Sequence, residues 1–398
     1  MPALRPTLAL ASVLALASLF ALPAPAPAQA AEQYVVAIDG SGDFTTISGA
    51  IEAASDGDEI VLAPGEYVES FIIGKAITLS AAGAARDVVI AADSLEAFRR
   101  EDALGSRILA GIVVEGDVTI ENLSIRDDDG VNAGILLVGG TPTVRDITTD
   151  AIVGVNGTTL ATIEDSVVDR VNLVGPDVRG TVRGNTIGHG VWVDAGATGT
   201  VEDNLILREP IHLGADSRLE AIGNTIRPDE GVPAIWVDWA NASVVLIDNV
   251  IEGASPGIFV QHGSSALIEG NTISDSVEGI VVVETDAIIR GNTVTNAEDA
   301  GIVVEGTGMT AEDNTVQGAR VGIVAGVPNG YPPNAPRFDE PSRIIGNTVT
   351  DASHFGLLVF DSSPVVSGNS ICAGREPIRL EDGASPELGG NEICEMAE

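Results

Sequence analysis

The sequence predicts an all-β chain wound into a single right-handed parallel β-helix of about 13 or more coils, capped at its N-terminal end by a short helix. Three observations carry that prediction. Gly-Asn-Thr-Ile/Val recurs with its asparagine at Asn185, Asn224, Asn271, Asn292 and Asn347, and Asn204, Asn249, Asn314, Asn369 and Asn391 fill the same slot in close variants. With Asn122, Asp146 and Asp165 counted as earlier members, the slots fall 19 to 25 residues apart, save one interval of 33. Each repeat carries two short β-branched runs, one reading Gly-Ile-x-Val (Gly257–Val260, Gly301–Val304) and one running into the asparagine (Ala287–Asn292). The body of the chain shows no helical period.

Alternation along each run turns Ile and Val inward and the intervening residues outward. Gly and Asn mark the bends, where a positive φ is needed or an amide must replace lost backbone pairing. Stacked amides can bond to one another along the axis. A leucine-rich repeat also has a periodic asparagine, but it wants Leu at fixed offsets and one strand per repeat. Here Val and Ile dominate, with two or three strands per turn.

Taken from the N-terminus, residues 1–30 read as a signal peptide. Arg5 supplies the positive start, Thr7–Leu22 is apolar, and Ala28-Gln29-Ala30 suits cleavage after Ala30. No later apolar run reaches the ~20 residues that span a bilayer, so the mature chain is expected to be secreted or periplasmic. Residues 31–110 form the cap and first coils. Asp43 is placed to cap a helix over Phe44–Ala54, followed by strands at Glu59–Leu62, Tyr67–Ile73, Ala76–Leu79 and Val88–Ile90. Residues 111–398 are the repeats. Two inserts interrupt the array: Ala92–Ile108, read as a short helix around Phe98-Arg99-Arg100-Glu101, and loop 327–341, with five prolines. At the far end Glu392, Glu395 and Glu398 discourage edge pairing by charge. Cys372 and Cys394 share the context Gly-Asn-x-Ile-Cys, 22 residues apart. In a solenoid that is one coil, within reach of a disulfide.

Composition bounds the partners. There are 58 acidic residues against 20 basic ones, a net charge of −38, and Lys75 is the only lysine. Such a surface repels nucleic acid and polyanions. The chain is expected to be a monomer.

Aligning the Gly-Ile-x-Val runs gives an outward column reading Trp192, His212, Trp236, Phe259, Val281, Val303, Val324, Leu358 and Arg379. Four successive coils therefore present a ring, with Trp239 close by. Two residues further on stand Asp194, Gly214, Asp238 and Gln261, then His262; three residues before lie His189, Glu209 and Pro233. Rings at ~4.8 Å steps offer a flat apolar face for sugar rings, and the flanking acids and amides suit hydroxyls. Trp192, Trp236, Trp239, Phe259, Gln261 and His262 are the expected substrate-binding residues. Asp194, Glu209, Asp238, His189 and His212 are the candidate catalytic groups. Asp194 and Asp238, two coils apart, stand ~10 Å apart at the backbone, near the spacing of an inverting carboxylate pair, with Glu209 as a closer partner for either. Near these rings the column offers no Lys or Arg, which weighs against a lyase acting on uronates. No cofactor is demanded. Asp127-Asp128-Asp129 and the acidic turns offer hard oxygen ligands of the kind Ca²⁺ takes, whereas the few His and Met residues do not suit copper.

The stretch Val36–Phe44, with Ala50–Ala54 and Ile60–Tyr67, resembles the start of pectin methylesterases. The repeats resemble those of NosD-type periplasmic proteins. Together these make the chain similar to the pectin lyase-like superfamily of right-handed β-helices, which implies the fold over nearly all of the mature chain. The methylesterase catalytic signatures are missing, and of the polygalacturonase motifs only Gly188-His189-Gly190 matches. The sequence therefore points to an exported protein that binds, and in a stronger form hydrolyses, a polysaccharide along the ring face. The alternatives are a non-catalytic envelope protein docking through that face and a calcium-binding periplasmic protein.

Overall fold

The chain is described by a computed structural model covering residues 30–92, 97–126, 133–239, 241–326 and 340–395. Residues 1–29, which hold nearly all of the expected signal peptide, Asp127–Asp129, most of loop 327–341 and Glu398 lie outside the described residues. From Glu32 onward the chain is a right-handed parallel solenoid of about 15 turns. Each full coil runs through three strands, here termed sheets C, A and B in chain order, as in Ile235–Val237, Ser243–Ile247 and Val250–Glu252. Apart from one hairpin strand described below, the strands pair in parallel from coil to coil, as in Trp236↔Phe259, Val245↔Leu267 and Ile251↔Ile273. Sheet B has 15 strands, so the corner residues undercount the coils by two. The strands Gly65–Val68 and Val88–Ala91 belong to coils without a corner amide.

The alternating pattern produces the core directly. Ile258 and Val260, Val244 and Leu246, and Ile251 from the three sheets are all essentially inaccessible. Each such side chain contributes about 1.5–3 kcal/mol relative to exposure. The corner between sheets A and B is sharper than the sequence suggested. It consists of one left-handed residue, Gly or Asp (Asp248 φ 52°, Gly270 φ 68°), and then the asparagine. From Asn185 to Asn391 the buried amides form a continuous ladder. Up to Asn369 each amide nitrogen donates to the next asparagine's Oδ1 and to a carbonyl of the preceding coil, as Asn249 does to Asn271 (2.9 Å) and Ala221 (2.8 Å). Asn122, Asp146 and Asp165 do not belong to this ladder; with φ of 54°, 53° and 49° they occupy the left-handed slot before it. Ser166 stands in the ladder slot there, its N–H donating to Asn185 Oδ1.

The glycine of Gly-Ile-x-Val serves a different purpose. A Cβ on Gly301 would lie 2.7 Å from the Gly322 carbonyl oxygen and 2.3 Å from Val316. These positions are glycine because neighbouring coils approach too closely for a side chain.

The cap helix, α1, spans Ile47–Ala53 and buries Ile47, Ala50 and Ile51. It starts three residues later than expected. Asp43 spends its carboxylate on the Val35 N–H (2.9 Å), and Thr46 caps instead. Glu69 receives the Ile47 and Ser48 N–H groups, and Lys75 donates to the carbonyls of Ile51, Glu52 and Ala54 at the other end. Opposite charges thus meet opposite ends of the helix dipole. The first insert is also corrected. Phe98–Glu101 is a strand paired antiparallel with Arg107–Ala110, so the segment is a β-hairpin rather than a helix. Cys372 and Cys394 are register partners joined by a disulfide, with Cα atoms 4.7 Å apart. No described helix is long and apolar enough to cross a membrane.

Candidate functional site

Sheet C brings the expected ring column together on one outward face. Asn172, Trp192, His212, Trp236, Phe259 and Val281 are consecutive register partners. Each ring sits between inward aliphatics such as Val191 and Val193, and alternation holds it on the surface. Trp192 is 37% exposed, and Trp236 and Phe259 are half-buried. His212 departs from expectation. Its ring is clamped between Trp192 (centroids 4.7 Å) and Trp236 (5.2 Å) and is only 6% exposed. Burial holds its pKa below the ordinary value, against the pull of Asp194 and Asp238. Trp239 follows the strand and is well exposed.

Three polar atoms in this column are buried without a hydrogen-bond partner among the described residues: Asn172 Oδ1, His212 Nδ1 and Trp236 Nε1. Buried polar groups are nearly always paired. Three unpaired ones within four neighbouring coils mark a surface built to meet something else.

Polar groups flank the rings on both sides. Before the strands, His189 Nδ1 meets Asp169 at 2.5 Å, and Arg170 binds Glu209 (2.5 Å) and the His189 carbonyl (2.9 Å). The Arg170 guanidinium stands 5.7 Å from the Trp192 ring centroid, a cation–π distance. Glu209 is therefore committed to Arg170 rather than pairing with Asp194 or Asp238. After the strands, the Asp194 carboxylate leans over Gly214, where any Cβ would lie 2.0 Å from it. Asp238 accepts from the Gln261 amide, and His262 Nδ1 lies 3.2 Å from its carboxylate and 2.9 Å from its carbonyl.

At the Trp192 end the column opens into a cleft of about 280 Å³ beneath the hairpin tip. It is lined by Asp102, Leu104, Ser106 and Arg107 on one side and Gly154, Asn172, Trp192 and Asp194 on the other. The column was thus one coil too short when read from sequence. Asn172 occupies the next position, and Arg170 and Arg107 supply the cations that the column lacked. Reading Arg170-Val171-Asn172-Leu173 as a strand without its glycine would have found the first. No group of three or more His, Cys, Asp or Glu side chains converges among the described residues.

The sequence matches the family described as a right handed beta helix region over residues 110–332 and 234–393. No curated protein matches it. Among solved structures it is similar to the catalytic unit of a thermostable GH87 alpha-1,3-glucanase from Streptomyces thermodiastaticus strain HF3-3, at 15% identity over 85% of this chain, with a TM-score of 0.45. The chain spans only 64% of that unit. A PL6 alginate lyase in complex with a trisaccharide shares 13% identity over 88% of this chain and 85% of its own, TM-score 0.46. The periplasmic alginate epimerase AlgG shares 14% over 85% and 77%, TM-score 0.45. These likenesses are of fold alone.

Proposed function

Because the chain belongs to the right-handed beta helix family, whose scaffold serves unrelated chemistries, we infer its function from sheet C: it is an exported protein that binds a polysaccharide along the ring face. The observation that carries this is the set of unpaired buried atoms beneath partly exposed rings. Indole faces flanked by amides and carboxylates suit the alternating apolar faces and hydroxyls of sugars. Arg170 and Glu209 on one flank and Asp194, Asp238 and Gln261 on the other supply further polar partners. The acidic coat favours a neutral or weakly charged glycan.

Affinity electrophoresis tests this with dextran, barley β-glucan, xylan and galactomannan cast into native gels. One polymer should retard the protein, and Trp192→Ala/Trp236→Ala should abolish the retardation with the circular dichroism spectrum unchanged. Retention of full retardation by the double variant removes the ring face as the site.

A stronger reading, hydrolysis, is favoured by Asp194 and Asp238 standing in alternate coils with Gly214 between them. Gly214 lets the Asp194 carboxylate lean toward the coil of Asp238, so that the two can serve as acid and base. Reducing-end release lost in Asp238→Asn, with binding retained, would support it; turnover unaffected by that change would refute it.

A further inference from the structure

We propose that sheet C takes the terminus of a glycan chain rather than its middle, with the hairpin of residues 98–109 as the stop. This rests on the glycan reading above. The outward column does not begin at Asn172. Register places Val113, Leu136 and Gly154 in line before it. Outward residues on a solenoid face meet water unless something covers them. Val113 and Leu136 are wholly inaccessible, and Phe98 and Ile108 of the hairpin pack against them. A chain lying along the axis over Trp236 and Trp192 would therefore run into the hairpin one or two coils further on.

The obstruction is well braced. Asp102 Oδ1 accepts from the N–H groups of Leu104 (2.9 Å) and Ser106 (2.7 Å), and the Asp102 N–H donates to the Ser106 carbonyl (3.0 Å). The tip leans forward, with the Ala103 Cβ 3.5 Å from where a side chain on Gly175 would start. What it leaves open is the 280 Å³ cleft floored by Gly154 and Asn172. That volume lies at the small end of ligand clefts and suits a terminal unit rather than a passing segment. A terminal sugar carries one more free hydroxyl than an internal one, and half-buried Asn172, its Oδ1 unpaired, places a side-chain amide at the blind end of the cleft to meet it. On the other side the partly exposed Trp192, Trp236 and Phe259 leave the track open.

A terminus binder is saturated by chain ends, not by mass. The test titrates the full chain into whichever of dextran, barley β-glucan, xylan or galactomannan retards it, before and after acid hydrolysis that halves the mean chain length. Protein bound per gram at saturation should rise in proportion to the chain ends that the cut creates, doubling for an unbranched polymer. Capacity unchanged by the cut overturns end binding and leaves the glycan reading standing; lack of binding to all four polymers overturns both. Asn172→Ala should weaken binding about tenfold, the loss of one buried hydrogen bond. An unchanged affinity also overturns the proposal.

Discussion

Asn271→Ala tests the corner ladder quantitatively. In the native chain Asn271 Oδ1 accepts from the Asn249 backbone N–H (3.0 Å) and from its side-chain amide (2.9 Å). Its own amide donates to the Leu246 carbonyl (2.9 Å) and to Asn292 Oδ1 (2.9 Å). Asn292 Oδ1 keeps the Asn271 N–H (2.9 Å), and the Asn249 amide keeps the Ala221 carbonyl. Truncation therefore strands the Asn249 N–H and one hydrogen of its amide, and Leu246 loses a donor. The corner is buried, so water cannot substitute. At about 1–3 kcal/mol for each buried unsatisfied donor, the loss comes to about 2–6 kcal/mol. Asn391→Ala removes the same two bonds from Asn369 (3.0 and 2.9 Å), but at a part-buried corner where water can step in. It should cost about 1 kcal/mol. Urea unfolding followed by far-ultraviolet circular dichroism measures both, provided the m-value is unchanged. If the two variants lose equal stability, the ladder is not what holds the corners.

Three further outcomes follow from the structure. Since burial holds the His212 pKa below 6.5, the unfolded state takes up the proton first as pH falls. Stability contributed by the neutral ring is complete above about pH 6.5 and declines below it. His212→Phe, which keeps a ring between the tryptophans, should flatten the urea midpoint between about pH 6.5 and about pH 5.5; an unchanged slope refutes this. Gly301→Ala should cost about 1–3 kcal/mol by overpacking against Gly322 and Val316, and an unshifted melting temperature would contradict the close-approach argument. Reducing the Cys372–Cys394 bond opens a single coil worth ~3 kcal/mol in loop entropy. Hydrogen exchange should speed up in Glu387–Gly389 and Glu392–Glu395 while the strands around Asn249 stay protected. A uniform change along the chain would refute a local staple.

The coil register was legible because the corner asparagine is under one strict demand, an amide that must reach both the next coil and the one before. Residues some twenty positions apart could therefore be stacked, and Trp192, His212, Trp236 and Phe259 stand as that stacking requires. Where the amide is replaced, as at Ser166, alignment slipped by one residue onto the left-handed Asp165. The hairpin was illegible for another reason. Phe98-Arg99-Arg100-Glu101 alternates over only four residues, and its pairing with Arg107–Ala110 is fixed by packing on Val113 and Leu136 rather than by its own pattern. The burial of His212 likewise depends on the bulk of its two neighbours, which a column of outward letters does not convey.

The anchoring of Lys75 on three carbonyls has a practical corollary. It carries the one primary amine among all the side chains, and the fold holds that amine against the end of α1. Glutaraldehyde and succinimidyl esters therefore have a single lysine to find on the folded chain, half-buried and with its amine engaged. Bridging reagents of that class would under-report association, and carboxyl activation with an added dihydrazide, which links acid to acid, is the appropriate choice for fixing contacts on so acidic a surface.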